Sequence, residues 1–306
     1  MCKKFYAMQN KDAGEAYVQA LIEAGYEQVK RLGDADFALI DLLRDRDRYD
    51  AVATFFETHP VFVYPHTPLS YFIWDGHYKP VPASCTFVAG KAAKKSLESY
   101  GYPGRIEICG FLRCHVREFT PTRGSKLLFV PARVRWDGSY SNDAYAENTP
   151  KAWAFVLANL DKFEQVRVCY VNYFVDEIDY LASGIEFFKT APRSSQSPTL
   201  DMLEHISWAD LVMSCETVGC LSVAVGKPTV FYNARAVPAT GNIPAANYEK
   251  YRKYYEFPLT IEEMGVRDIL DVRGSQNSAV ELWKQNNIGG QFDVDKFLRV
   301  IREYVT

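Results

Sequence analysis

The sequence predicts an α/β chain made of two doubly wound parallel sheets. Three observations carry this. Short apolar runs of strand length alternate with segments of helical periodicity along most of the 306 residues, the pattern of repeated β-α-β units. The stretch Ala209–Asn233, ADLVMSCETVGCLSVAVGKPTVFYN, compresses one such unit into a strand, a loop, a helix of small residues, a Gly-Lys-Pro stop and a second strand. Phe119–Ser125, FTPTRGS, gathers Pro, Gly and Thr between two apolar runs, which marks a linker. The expected domains are therefore 1–120 and 121–306, with the final helix free to pack back on the first. The length suits two domains, each with its own core.

In order, Lys4–Met8 is a strand and Glu15–Gly25 a helix, with Ala16, Val18, Leu21, Ile22 and Ala24 at helical spacing and Gly25 as its stop. Phe37–Asp41 is a strand. Leu42–Tyr49, with alternating Asp and Arg, reads as an exposed helix, and Ala51–Glu57 as either a strand or the end of that helix. His59–Tyr64 is a buried strand, followed by the stiff loop Pro65–Pro68. Ser84–Gly90 is a strand, Lys91–Tyr100 a helix ended by Gly101, and Arg105–Gly110 a strand. In the second half Lys126–Pro131, Gln165–Tyr170 and Ile185–Lys189 are strands. Pro150–Leu160 is a helix with Pro in its first turn. Thr199–Ser207 is a short helix capped by Thr199 or Asp201. Val294, Phe297, Leu298, Ile301 and Val305 fall at helical spacing and make Val294–Val305 a terminal helix.

Hydrophobic residues form 48% and charged residues 24% of the chain, and the net charge is −3. This is the composition of an ordinary globular protein rather than of a polyanion-binding one, although net charge leaves local basic patches open. Seven cysteines include no CxxC pair, so no zinc-site spacing emerges, and the expectation is buried reduced thiols in a cytoplasmic protein. No apolar run is long enough to cross a bilayer, and no leader pattern opens the chain, so a soluble protein is expected.

Three segments resemble a known group. PHTPLSYF at Pro65–Phe72 is similar to the His-Gly-x-Pro-Leu loop of CDP-glycerol glycerophosphotransferases and related GT-B transferases. Thr86–Arg113, TFVAGKAAKKSLESYGYPGRIEICGFLR, is similar to their strand–helix–Tyr-Gly–strand run. Ala209–Asn233 resembles the nucleotide-phosphate segment of GT-B sugar transferases and UDP-GlcNAc 2-epimerases. The resemblance implies a GT-B fold, two Rossmann-like domains facing across a cleft, with acceptor on the first domain and activated nucleotide donor on the second. It departs from the pattern in three places. Gly is missing after His66, Glu216–Thr217 replaces paired small hydroxyls, and VNYFVD stands where the glycerophosphotransferases carry a second His.

The implied reaction moves a sugar from a nucleoside diphosphate to a hydroxyl. It needs a base for the acceptor and positive charge or N–H donors for the leaving diphosphate. His66 is the candidate base, with an ordinary pKa of about 6.5; Asp75 and His77, in WDGH, are alternatives. Arg133 and Arg135 follow the first strand of the second domain, where forked guanidiniums suit a diphosphate. Ser214, Thr217, Val218 and Gly219 are expected around the same phosphates, Gly219 permitting close approach. Glu216 is assigned to the ribose, and Arg193, with Ser194 and Ser195, to the nucleobase. Lys227, in Gly-Lys-Pro, reads as turn chemistry. The co-substrate is expected to be UDP-linked, with no tightly bound cofactor and no required metal.

The expected acceptor is a glycan. A hydroxymethylated DNA base, as in some bacteriophage enzymes, is the other option, and it needs a basic groove built from Lys91, Lys94, Lys95, Arg105, Arg113 and Arg117. Two alternatives remain: a polyol-phosphate transferase or sugar-nucleotide epimerase of the same fold, or a non-catalytic binding protein of this shape.

Overall fold

The computed structural model describes residues 2–8, 15–41, 46–64, 83–99, 101–102, 104–111, 119, 124–131, 151–170, 185–189, 198–214, 216–232 and 278–305. The chain forms two compact units. Unit 1 is Met1–His115 with Gln285–Thr306, and unit 2 is Val116–Lys284.

Unit 1 holds six parallel strands, β1 (Lys4–Met8), β2 (Glu27–Val29), β3 (Phe37–Asp41), β4 (Val61–Tyr64), β5 (Cys85–Val88) and β6 (Arg105–Ile108). They lie in the order β2-β1-β3-β4-β5-β6. The central strands are apolar throughout because both faces are covered. Their side chains alternate: Phe37, Leu39, Phe62 and Tyr64 enter one core, and Ala38, Ile40, Val61 and Val63 the other. The first core is closed by Tyr17 and Leu21 of α1 (Glu15–Glu23) and by Phe297, Val300 and Ile301 of the terminal helix. The second is closed by Val52 and Phe55 of α2 (Arg46–Phe56). Ala51–Phe56 is thus helix, not strand. Its apolar contact needs only one residue per turn, which the Asp/Arg alternation before it obscures.

Helix α3 (Lys91–Ser99) buries Ala92, Ala93 and Leu97. The terminal helix, Val294–Tyr304, is α8 below. Asp293 caps it, accepting from the Lys296 N–H at 2.9 Å. It is pinned to edge strand β6 by side chains: Lys296 Nζ lies 2.9 Å from Glu107 Oε2 and donates to the Ile108 carbonyl at 2.9 Å. Arg105 bonds Glu107 Oε1 at 2.8 Å and also Glu303. Burial alone would push the Glu107 carboxyl up, but the hydrogen bonds from Lys296 and Arg105 outweigh it and hold the group below its ordinary range.

Unit 2 holds five parallel strands, β7 (Lys126–Phe129), β8 (Gln165–Tyr170), β9 (Ile185–Lys189), β10 (Leu211–Ser214) and β11 (Thr229–Phe231). Their order is β11-β10-β7-β8-β9. The first strand is central, the next two build outward on one side and the last two on the other, so the direction of winding reverses between β7 and β10. Helix α4 (residues 151–157) covers one face through Ala152 and Val156, against Leu127, Phe129, Val168, Met213 and Val230. Helices α5 (Pro198–Trp208) and α6 (Glu216–Ala224) pack on each other, α5 also against β7 and α6 against β10 and β11. Thr199 and Asp201, the expected caps of α5, lie within its first turn, because the helix begins at Pro198. Helix α7 (Ser278–Asn287), not foreseen in the sequence, sets Trp283 edge-on to Phe231 at 5.8 Å.

Cys85, Cys109, Cys169 and Cys220 are buried, and Cys2 is exposed; Cys114 and Cys215 lie outside the described residues. Burial pushes the Cys85 and Cys109 thiols from 9.0 up to about 12. Between about pH 9 and about pH 12 the unfolded chain releases protons that the folded chain retains, so stability falls as pH rises through this window. The expected slope is about 1.4 kcal/mol per pH unit for each thiol. Denaturant unfolding in alkali checks it: Cys85→Ala with Cys109→Ala should flatten the pH dependence relative to the unsubstituted chain, and an unchanged slope would refute the assignment.

Candidate functional site

The β10–α6–β11 unit is built from both ends of its central strand. At the amino end, Asp210 accepts from the Lys126 N–H at 2.9 Å and its own N–H donates to the Lys126 carbonyl, which joins β10 to β7. Lys227 is 3% exposed, and its ammonium donates to the carbonyls of Ser207 at 2.9 Å and Ala209 at 2.6 Å. Burial pushes this ammonium below its ordinary pKa, with Asp210 partly opposing the shift. Lys227 therefore ties the end of α5 to the turn before β11 and is closed to a ligand. Ser222 and Thr229 share a buried hydrogen bond of 2.8 Å beside it.

The carboxyl end has the other character. The Val130 N–H donates to Met213 O at 2.9 Å and the Tyr232 N–H to Ser214 O at 3.1 Å, so the three strands finish level. Helix α6 begins at Glu216, immediately beyond this edge. The N–H groups of its first turn, from Glu216 to Gly219, have no acceptor within the helix, and the aligned peptide dipoles place about half a positive charge there. In open α/β sheets this is the place where anionic ligands dock, at the reversal of strand order and beyond the strand ends. The reversal in unit 2 lies between β7 and β10, and α6 starts on it.

Several expected residues meet here. Ser214 closes β10 and is buried; Val218 is half-buried; Gly219 is buried in the first turn of α6. Gly219 has a packing reason for its identity: a Cβ there would lie 2.5 Å from the Phe231 ring. Its missing side chain lets the helix settle on β11. Glu216 and Thr217 contribute their backbone to α6; their side chains are outside the described residues. His66, Asp75, His77, Arg133, Arg135, Arg193, Ser194 and Ser195 are also outside them. In the chain Arg133 and Arg135 follow β7, Arg193 follows β9 and His66 follows β4. Tyr232 was not singled out in the sequence. Its hydroxyl donates to the Val130 carbonyl at 3.0 Å, and its sequence signal is the tyrosine that ends the run after Gly-Lys-Pro.

Of the basic set required for a DNA acceptor, Arg105 is occupied by Glu107 and Glu303, and Lys94 donates to the Ile106 carbonyl at 3.1 Å. Lys91 and Lys95 are exposed, and Arg113 and Arg117 are outside the described residues. Among the described residues no cluster of three or more His, Cys, Asp or Glu is placed to hold a metal ion. No described helix is long and apolar enough to cross a membrane.

No family model matches this sequence, and no curated protein matches it. Solved structures do match its shape. The spinosyn rhamnosyltransferase SpnG, complexed with thymidine diphosphate, has a TM-score of 0.54 at 10% identity, over 99% of this chain and 100% of its own. The wall teichoic acid polymerase TagF gives 0.55 at 9% identity, over 99% and 89%. The chain has the GT-B fold. The glycosyltransferase SnogD from Streptomyces nogalater adds a TM-score of 0.50 at 9% identity, over 99% of this chain and all of SnogD. Each GT-B unit here is a Rossmann-like parallel sheet, and the α6 start lies at the carboxyl end of the second.

Proposed function

We propose that this GT-B chain is a glycosyltransferase that binds a nucleotide-sugar donor in unit 2 and transfers the sugar to a hydroxyl of a glycan acceptor. The observation that carries the reading is the start of α6 at the strand-order reversal, where the Thr217, Val218 and Gly219 N–H groups of the first turn have no acceptor within the helix. SpnG, of the same fold, holds thymidine diphosphate, which supports a nucleoside diphosphate as the ligand. In this reading Arg133 and Arg135 neutralise the phosphates, Glu216 meets the ribose, Arg193 frames the base, and His66 or Asp75 takes the acceptor proton. The donor nucleotide is expected to be UDP, with TDP as the nearest competitor. The basic groove for DNA finds no support in the positions of Lys94 and Arg105.

Calorimetry and thermal shift with UDP, TDP, GDP, CDP and ADP test this. One of them should bind, and at a hundredfold excess over its Kd it stabilises the fold by about 2.7 kcal/mol. Arg133→Ala should weaken that binding about tenfold, the loss expected for a charge-assisted hydrogen bond. A selective response to CDP would favour the polyol-phosphate branch of the fold. If none of the five binds the unsubstituted protein, the donor site is refuted.

A further inference from the structure

We infer that Tyr232 is a positioning residue for the diphosphate site: its hydroxyl fixes the exit of β7 against the end of β10. This rests on the nucleotide-donor reading of unit 2. The geometry is specific. Strands β11 and β7 are not neighbours; β10 lies between them, so their backbones run about 9–10 Å apart. The Tyr232 hydroxyl nevertheless donates to the Val130 carbonyl at 3.0 Å, reaching over the end of β10. The side chain is 1% exposed and its ring lies 5.5 Å from that of Phe129, the last residue of β7.

Three bonds therefore close a loop around the same edge: Tyr232 N–H to Ser214 O, Tyr232 O–H to Val130 O, and Val130 N–H to Met213 O. The loop holds the ends of β7, β10 and β11 together, and in sequence the chain runs on from them to Arg133 and to α6. Phosphate binding by N–H groups and a guanidinium depends on their mutual placement to within a fraction of an ångström. A tie between those two chain exits acts on affinity without touching the ligand. The backbone bonds tie β7 and β11 each to β10, and the Tyr232 hydroxyl adds a direct tie from β11 to β7.

Tyr232→Phe keeps the ring and deletes the hydroxyl. Ser222→Ala is the control, since it removes a buried hydrogen bond of the same unit beside the amino end of β11. The probe is whichever of UDP, TDP, GDP, CDP or ADP binds the unsubstituted protein, measured by calorimetry below the melting range of every variant. Tyr232→Phe should weaken it about fivefold or more, with Ser222→Ala unchanged. In an Arg133→Ala background the Tyr232→Phe effect should shrink, because the two act through one placement. Full-affinity binding by Tyr232→Phe overturns the inference and leaves the donor reading intact. Equal weakening by Tyr232→Phe and Ser222→Ala overturns it as well, since it marks general loosening of the unit. A protein that binds none of the five refutes the donor reading, and the inference falls with it.

Discussion

Gly110→Ala should destabilise unit 1 severely. Gly110 follows β6 with φ at +79°, a region that costs an L-residue about 1–2 kcal/mol. The larger cost is steric. A Cβ there would lie 2.1 Å from the Gln291 carbonyl oxygen, 2.7 Å from its carbon and 3.0 Å from the Gly290 oxygen. All three are backbone atoms of the segment leading into α8, and that segment is fixed by hydrogen bonds from Phe111 N–H to Gly290 O at 3.1 Å and from Asp293 N–H to Cys109 O at 2.9 Å. No side chain can swing aside, so the segment must leave β6 and loosen the seat of α8. The expected loss exceeds about 3 kcal/mol, a large share of the stability of an ordinary domain. Denaturant unfolding followed by circular dichroism measures it; a loss below about 1 kcal/mol would contradict the tight backbone seam.

Phe297→Ala should cost about 3–5 kcal/mol. Phe297 is fully buried, and its ring meets Tyr17 at 5.2 Å, Phe87 at 5.0 Å and Phe292 at 5.5 Å, the first two edge-on. Truncation removes the apolar area, the edge-to-face contacts and the hold of α8 on the sheet together. Leu298 only lines the rim of this core, so Leu298→Ala should cost clearly less. Equal losses at the two positions would show that α8 is not seated by the face described.

The strands that read clearly in the sequence are runs of four to six residues dominated by apolar and aromatic side chains. QVRVCY and IEFFK coincide with β8 and β9, and KFYAM and FALID with β1 and β3. The terminal helix was legible because Phe297 and Ile301 recur on one face. Strand β2 was not: it is a three-residue edge piece with only Val29 partly buried, and so short a run carries no period. Helix α7 was hidden because it contributes Val280 and Trp283 to the core among polar residues, with Leu282 exposed.

The α6 start was visible because a strand, a sharp stop and a run of small residues are local features. The Asp210 and Tyr232 ties were not, since each joins residues far apart in the chain: Tyr232 and Val130 are 102 positions apart, and no spacing rule connects them. Lys227 shows the same limit from the other side. Its place in Gly-Lys-Pro identified a turn, but only the fold reveals a buried ammonium joining two carbonyls.

The most direct test of the central claim is a crystal structure grown with the tightest-binding nucleoside diphosphate. The account predicts phosphate oxygens within about 2.7–3.2 Å of the Thr217, Val218 and Gly219 N–H groups, at the start of α6. A nucleotide bound with its phosphates away from that helix start would contradict it.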